Sequence, residues 1–348
     1  MSSPSFVTPS IRTRHRHESK INFDITKPTI IFTSGPTGAG KSGLLEKVFD
    51  AYYKKSYDTT FRNFLIDDYV ENSESYKNKV KDIIRNFNCN KDEPTESCNF
   101  NEPSKPLLEA FAEAYFSVRQ DGPCGLPPKP EYGCKLTMFN QIIEAIQAND
   151  NILIETTGKK IPIDYLKTLE KFTRIHNYNV LFVFAFVKFE TLMERNKTRA
   201  SRQMKEFIES NYDNPAPRLP DISPNVFKQT TTGIEKSLVL LRNKCLRLRA
   251  PNKEVCGPIN STGSFNLLLF SNDERKARLI YDSRVPDDNI MTDADFIKYI
   301  RKFNLSVELA GEKTKKTKKA KKAKKAKAHK TKYSKKKRTF KRRFRNRK

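Results

Sequence analysis

Several things are scarce or missing in this 348-residue chain, and each absence removes a class of explanation. Only six cysteines occur, at 89, 98, 124, 134, 245 and 256. Their spacings of 9, 26, 10, 111 and 11 contain no CxxC, which speaks against a zinc site and leaves free thiols of a reducing compartment as the expectation. No apolar run approaches the length that spans a bilayer, the longest being NVLFVFAFV at 179–187. The opening MSSPSFVTPSIRTRHRHESK is polar and basic, without the apolar core of a secretory signal. An intracellular protein, cytoplasmic or nuclear, with no membrane partner is therefore expected.

Acidic residues are absent from 313 to 348. That stretch holds 22 of the 67 Lys and Arg and none of the 40 Asp and Glu, so the rest of the chain carries 45 basic against 40 acidic groups, only +5 of the total +27. The basic character belongs to a tail whose charge density predicts disorder over 312–348. Long basic runs bind phosphate backbones by counterion release, and Tyr333, Phe340 and Phe344 add rings on which bases can stack. DNA or RNA binding through 313–348 and a nuclear address are both open readings. Residues 1–27 read as a second disordered arm, and 28–311 as the folded body.

Within the body, apolar runs alternate with helical patterns. TIIFTS, NFLID, NILIET and NVLFVFAFV are nearly continuous in apolar residues, as strands covered on both faces must be. Helical periodicity marks 41–55, 76–87, 105–120, 137–148 and 162–176. The order predicts a doubly wound α/β fold with a mainly parallel sheet of the P-loop NTPase type, its ligands gathered at the carboxyl ends of the strands. The stretch 88–132 reads as an elaborated loop containing a helix, and 266–283 as two strands joined by a polar turn at an antiparallel edge.

The sharpest motif follows the first strand. Gly35, Pro36, Thr37, Gly38, Ala39, Gly40, Lys41 and Ser42 match G-x-x-x-x-G-K-[ST]. In such a loop backbone N–H groups face phosphate oxygens, the lysine neutralises β/γ-phosphate charge and the serine hydroxyl ligates Mg²⁺. ATP and Mg²⁺ are the expected ligands. Missing companions narrow the chemistry. There is no strand ending in Asp-Glu, no LSGGQ-type signature and no N-K-x-D for guanine. The opening GPTGAGKS resembles that of tRNA isopentenyltransferases, but the polar second strand expected of them is lacking.

The second strand instead ends in Asp67 and Asp68, where a kinase needs a base against an acceptor hydroxyl. The alternative is that the pair caps the next helix or holds a cation. Arg195, Arg199 and Arg202 fall at i, i+4 and i+7 on one side of a predicted helix, suited to a lid over a transferring phosphoryl group or to a solvated basic face.

PTGAGKS, IDDYV, IETTG and the arginine helix followed by PRLP occur in that order between about 29 and 240. Together they resemble the zeta-toxin-like P-loop kinases, which are close in fold to small-molecule and polynucleotide 5′-hydroxyl kinases. The resemblance implies transfer of the γ-phosphoryl of ATP to a hydroxyl acceptor, a nucleotide sugar, nucleoside or 5′-hydroxyl nucleic acid. It implies Lys41 and Ser42 for ATP and Mg²⁺, Asp68 as general base, and Asp67, Glu155 and Thr157 beside the acceptor. Arg202 and Arg218 are the implied lid arginines, with Arg199 the competing choice. Pro217 stands where the family's Gly-Arg-x-x-Pro stretch has glycine, and Arg202 and Arg218 lie 16 apart. The appended basic tail resembles those on proteins of large DNA viruses. A non-catalytic, nucleotide-gated nucleic-acid binder is the rival reading.

Overall fold

The computed structural model describes residues 27–44, 61–89, 95, 98–121, 123–124, 132–159, 178–221, 223–243, 245–247, 254–256, 266–273, 277–283 and 291–304. The basic tail 312–348, residues 1–26 of the N-terminal arm, the predicted helix at 162–176 and most of the one at 41–55 lie outside these.

A six-stranded sheet runs through the body in the order β2-β3-β1-β4-β7-β8. Its members are β1 (Thr29–Ser34), β2 (Arg62–Phe64), β3 (Ile152–Thr156), β4 (Asn179–Phe186), β7 (Asn266–Ser271) and β8 (Arg278–Asp282). Five of them pair in parallel, and only β7 with β8 is antiparallel. The fold is thus α/β with a mostly parallel sheet, as the alternating apolar runs predict. The pair at 266–283 contains the expected antiparallel edge, but its first strand is also a full parallel member beside β4. A separate two-stranded ribbon joins β5 (Cys245–Arg247) to β6 (Glu254–Cys256).

Period-two side-chain alternation divides the strands between two cores. On one face lie Ile30, Phe32, Ile152, Ile154, Phe182, Phe184, Phe186, Leu267 and Leu269. They pack against α4 (Cys134–Gln147), α6 (Pro224–Arg242) and α7 (Asp293–Asn304). On the other lie Ile31, Leu153, Leu181, Val183, Ala185, Leu268 and Phe270, with Leu44 and with Leu192 of α5 (Phe189–Glu209). Burial on both faces is why these runs lack a polar face.

A third core holds the helices between β2 and β3. It joins α1 (Ile66–Glu71), α2 (Glu74–Asn86) and α3 (Lys105–Asp121) to Ala200, Met204 and Phe207 of α5. Ile66 and Tyr69 of α1 pack against this core and against the first face of the sheet, so α1 sits where the two meet. Ser73 caps α2, its hydroxyl accepting from the Tyr76 N–H at 3.2 Å. The helix expected within 88–132 is present as α3, which supplies Phe111, Tyr115 and Val118 to a buried core.

The cysteines correct the expectation of free thiols. Cys89 is bonded to Cys98, and Cys124 to Cys134. Each bridge closes a short loop, one after α2 and one between α3 and α4. Cys245 and Cys256 are opposite one another in the β5–β6 register.

Phe182 is 1 % exposed and stacks on Phe32 with ring centroids 4.9 Å apart at the centre of the sheet. Phe182→Ala is expected to destabilise the fold by about 3–5 kcal/mol, measured by urea unfolding.

Candidate active site

The phosphate-loop motif begins at Gly35, directly after β1, the third strand of six. Gly38 and Gly40 adopt φ of +87° and +71°, a region that side chains disfavour. Lys41 is 7 % exposed, and its Nζ donates to the carbonyls of Gly35 and Pro36 at 3.2 Å each. The same ammonium lies 3.1 Å from Glu155 Oε1 at the carboxyl end of β3. Ser42 Oγ faces the other oxygen of that carboxylate, Glu155 Oε2, at 3.5 Å. Lysine, serine and the strand-end acid thus form one cluster, as the parallel register of β1 with β3 requires. Thr156 shares a hydrogen bond with Ser34 at 3.0 Å, whereas Thr157 is exposed at the end of the strand.

Asp67 and Asp68 lie in the first turn of α1, just beyond β2 rather than on the strand itself. The helix makes two adjacent carboxylates unlike. Asp67 is engaged at both oxygens: Oδ1 accepts from the Tyr115 hydroxyl at 2.5 Å, and Oδ2 is paired with the Arg218 guanidinium. Burial pushes Asp67 upward, but Arg218, the Tyr115 hydrogen bond, Lys41 and Arg199 outweigh it and hold the carboxyl below its ordinary range. Asp68 points outward. Partial burial, then the charges of Glu155 and Asp67, raise it above the ordinary carboxylate value.

Arg218 does not hang over the phosphate loop on a free lid. Its guanidinium lies 4.3 Å above the Tyr115 ring while it pairs with Asp67. The segment leading to it is fastened to α1 and α2 by three bonds. Lys77 Nζ donates to Asp213 O at 2.7 Å, the Ala216 N–H to Glu71 O at 2.7 Å, and Tyr76 OH to Pro217 O at 3.1 Å.

The arginines of α5 do not act alike. Arg195 Nη2 donates to the Asn272 carbonyl at 2.8 Å. Arg199 has a buried Nη2 with no hydrogen-bond partner, and its charge reaches both Asp67 and Glu71. Arg202 is exposed, 3.7 Å from Glu206 on its own helix. Periodicity places the three on one side of α5, but their side chains differ in burial and in partner.

Four residues here carry no motif in the sequence. Tyr115 and Glu71 belong to the acid cluster, and Asn196 and Asn272 touch the phosphate loop. Asn196 Nδ2 donates to Thr37 O at 2.8 Å, and Asn272 Nδ2 to Ala39 O at 2.8 Å. Only the acid within YVENSESY could have drawn attention to Glu71.

No protein-family model matches the chain, and no curated protein matches it. Solved structures do. One, from a study of the PezAT chromosomal toxin–antitoxin system of Streptococcus pneumoniae, is 14 % identical with a TM-score of 0.40, covering 84 % of this chain and 82 % of that one. Another, a protein from Chloroflexus aurantiacus described as a candidate kinase, is 9 % identical with a TM-score of 0.30, covering 80 % and 100 %. No helix among the described residues is long and apolar enough to cross a membrane.

Glu71 is 7 % exposed, and its carboxylate accepts from Gln203 Nε2 at 3.3 Å. Burial and the neighbouring Asp67 carboxylate raise it from 4.5 to about 7, against the pull of Arg199 and Arg218. Between those two values the folded state holds more protons than the unfolded one, so this group's contribution to stability falls as pH rises across the window. Glu71→Gln removes that loss. Its stability relative to wild type is expected to rise by up to about 3 kcal/mol from pH 5 to pH 8, measured by denaturant unfolding at both.

Proposed function

We propose that this chain is a P-loop phosphotransferase that moves the γ-phosphoryl group of ATP to a hydroxyl acceptor. The observation that carries the reading is Glu155. One of its oxygens meets Lys41 of the phosphate loop, the other faces Ser42, and its charge reaches Asp68 on the acid helix. Donor and acceptor machinery share one carboxylate.

Lys41 is held on two loop carbonyls and Glu155, and exchanges these for the β- and γ-phosphate oxygens. Ser42 Oγ and the Glu155 carboxylate are hard oxygen donors whose chemistry fits Mg²⁺. When bound, that ion neutralises phosphate charge. Glu155 thereby acts on the donor side as well as toward the acceptor. Asp68 takes the proton of the acceptor hydroxyl. The hydroxyl oxygen bonds to the γ-phosphorus, the bond from that phosphorus to its bridging oxygen breaks, and ADP leaves. An accessible carboxylate raised by partial burial and by its acidic neighbours suits a base better than Asp67, whose two oxygens are already committed. Asp67 orients the acceptor side through Tyr115 and Arg218, and Thr157, exposed at the end of β3, is free to meet the acceptor.

Among the arginines, Arg199 is our choice for the transferring group, a reading supported by its buried Nη2, which has no hydrogen-bond partner. Arg218 serves the reaction by holding Asp67, and Arg202 enters only if its side chain leaves Glu206.

The acceptor classes compatible with this site are nucleotide sugars, nucleosides and 5′-hydroxyl nucleic acids. The acid-free tail at 313–348 favours the last, because it would concentrate a polyanion near the site. It also supports a second reading, a nucleotide-gated protein that holds nucleic acid without catalysis.

The full chain incubated with Mg²⁺, γ-labelled ATP and separate pools of the three acceptors is expected to label one pool. Asp68→Asn should lower that rate by about 10²–10⁴-fold. The acidic limb of the rate against pH should fall above the ordinary carboxylate range, since Asp68 must lose its proton to act. Tight ATP binding without product from any pool would favour the binding reading instead.

A further inference from the structure

We propose that Asn196 and Asn272 form a carbonyl clamp that shapes the phosphate loop for nucleotide before nucleotide arrives. The inference rests on reading that loop as an ATP site.

In a loop whose N–H groups face a phosphate, the intervening carbonyls must face elsewhere, and each needs a donor. The loop meets this need with side chains from far along the chain. Asn196 Nδ2 donates to Thr37 O at 2.8 Å and to Leu192 O at 2.9 Å. Asn272 Nδ2 donates to Ala39 O at 2.8 Å and lies 3.4 Å from Gly40 O. The chemistry fixes both amides, because a turned amide would set its oxygen against two carbonyl oxygens. At Asn196 this choice leaves Oδ1 buried and without a partner. The fold accepts one unsatisfied oxygen in order to keep the two bonds from Nδ2.

The loop glycines interlock with the clamp. A Cβ on Gly38 would lie 2.3 Å from Asn196 Nδ2, and one on Gly40 would lie 2.5 Å from Asn272 Nδ2. Glycine at these positions does more than permit positive φ, since it leaves room for the amides to reach the backbone. The two asparagines are also joined to each other. Arg195, beside Asn196 on α5, donates to the Asn272 carbonyl, and the Asn272 N–H donates to Phe186 O at 2.7 Å at the end of β4. Both asparagines are buried, at 2 % and 8 % exposure. The clamp fixes the loop against α5 and the end of β7.

Neither asparagine touches a reacting atom, so they are positioning residues. Aspartate tests the role, because it keeps the shape but cannot donate. In calorimetric titration of the full chain with Mg²⁺ and ATP, Asn196→Asp and Asn272→Asp are each expected to weaken binding about tenfold or more. Turnover at saturating ATP should change far less than KM, a split that general destabilisation would not produce. The glycine contacts give a second readout. Gly38→Ala should weaken ATP binding strongly in the wild-type background and less in Asn196→Ala, where the 2.3 Å contact is gone.

Circular dichroism and thermal unfolding establish that each variant folds, and Asn272→Ser carries the comparison if an Asn196 variant does not. Folded variants that bind ATP as tightly as wild type would overturn the clamp and leave the proposed function standing. A wild-type chain that fails to bind ATP would overturn both.

Discussion

The constraint on which the site depends is the disposal of backbone carbonyls in one short loop. A peptide segment that turns its N–H groups toward phosphate creates, by the same geometry, acceptors that water cannot reach from behind. Here the carbonyls of Gly35 and Pro36 are met by Lys41, and those of Thr37 and Ala39 by Asn196 and Asn272. These donors come from the loop's own lysine, from α5 and from the end of β7. Because β7 runs parallel to β4, its carboxyl end, and with it Asn272, lies on the side of the sheet on which β1 ends.

A second constraint separates two neighbouring acids. Asp67 and Asp68 have the same chemistry and adjacent backbones, yet successive positions on a helix point about 100° apart. Asp67 is carried inward to Tyr115 and Arg218, where opposite charge and a hydrogen bond outweigh burial. Asp68 is carried outward to face Glu155, where like charge adds to burial. The environments move the two in opposite directions, the pattern by which one kind of side chain fills two roles. Arg218 makes the distinction possible, and its own position depends on bonds from Lys77, Tyr76 and the Glu71 carbonyl.

What could be read from the sequence, and what could not, follows from the range of each interaction. Strands buried on both faces write themselves as continuous apolar runs, so β1, β3 and β4 were legible. The phosphate loop was legible because its geometry is local and demands glycine. Asn196 and Asn272 were not, because they act 159 and 233 residues away from their partners and asparagine has no distinctive pattern. Tyr115 lay on an expected helix, but its role was not legible, since it comes only from meeting Asp67 across 48 residues. The cysteine spacings resemble no local metal motif, but spacing says nothing about which Cα atoms the fold brings together. For the arginine row, periodicity gave the side of the helix but not the direction of a long side chain, and so could not separate Arg199 from Arg202. The arm and tail of the chain, like the helix expected at 162–176, lie outside the described residues and enter neither side of this comparison.

One helix joins the two halves of the site. Arg195, Asn196, Arg199 and Gln203 fall within about 100° of arc on α5. The first two reach the phosphate loop and Asn272, while the last two face Asp67 and Glu71. An α-helix is stiff over the roughly two turns involved, so its contacts to the phosphate loop and to the acid cluster cannot be adjusted independently. A rotation of α5 that moved Arg199 would also move the amide that supports Thr37 and the one that supports Glu71. The third core, packed on Ala200, Met204 and Phe207 of the same helix and on Val70 of α1, holds α5 against the helix that carries the acid pair.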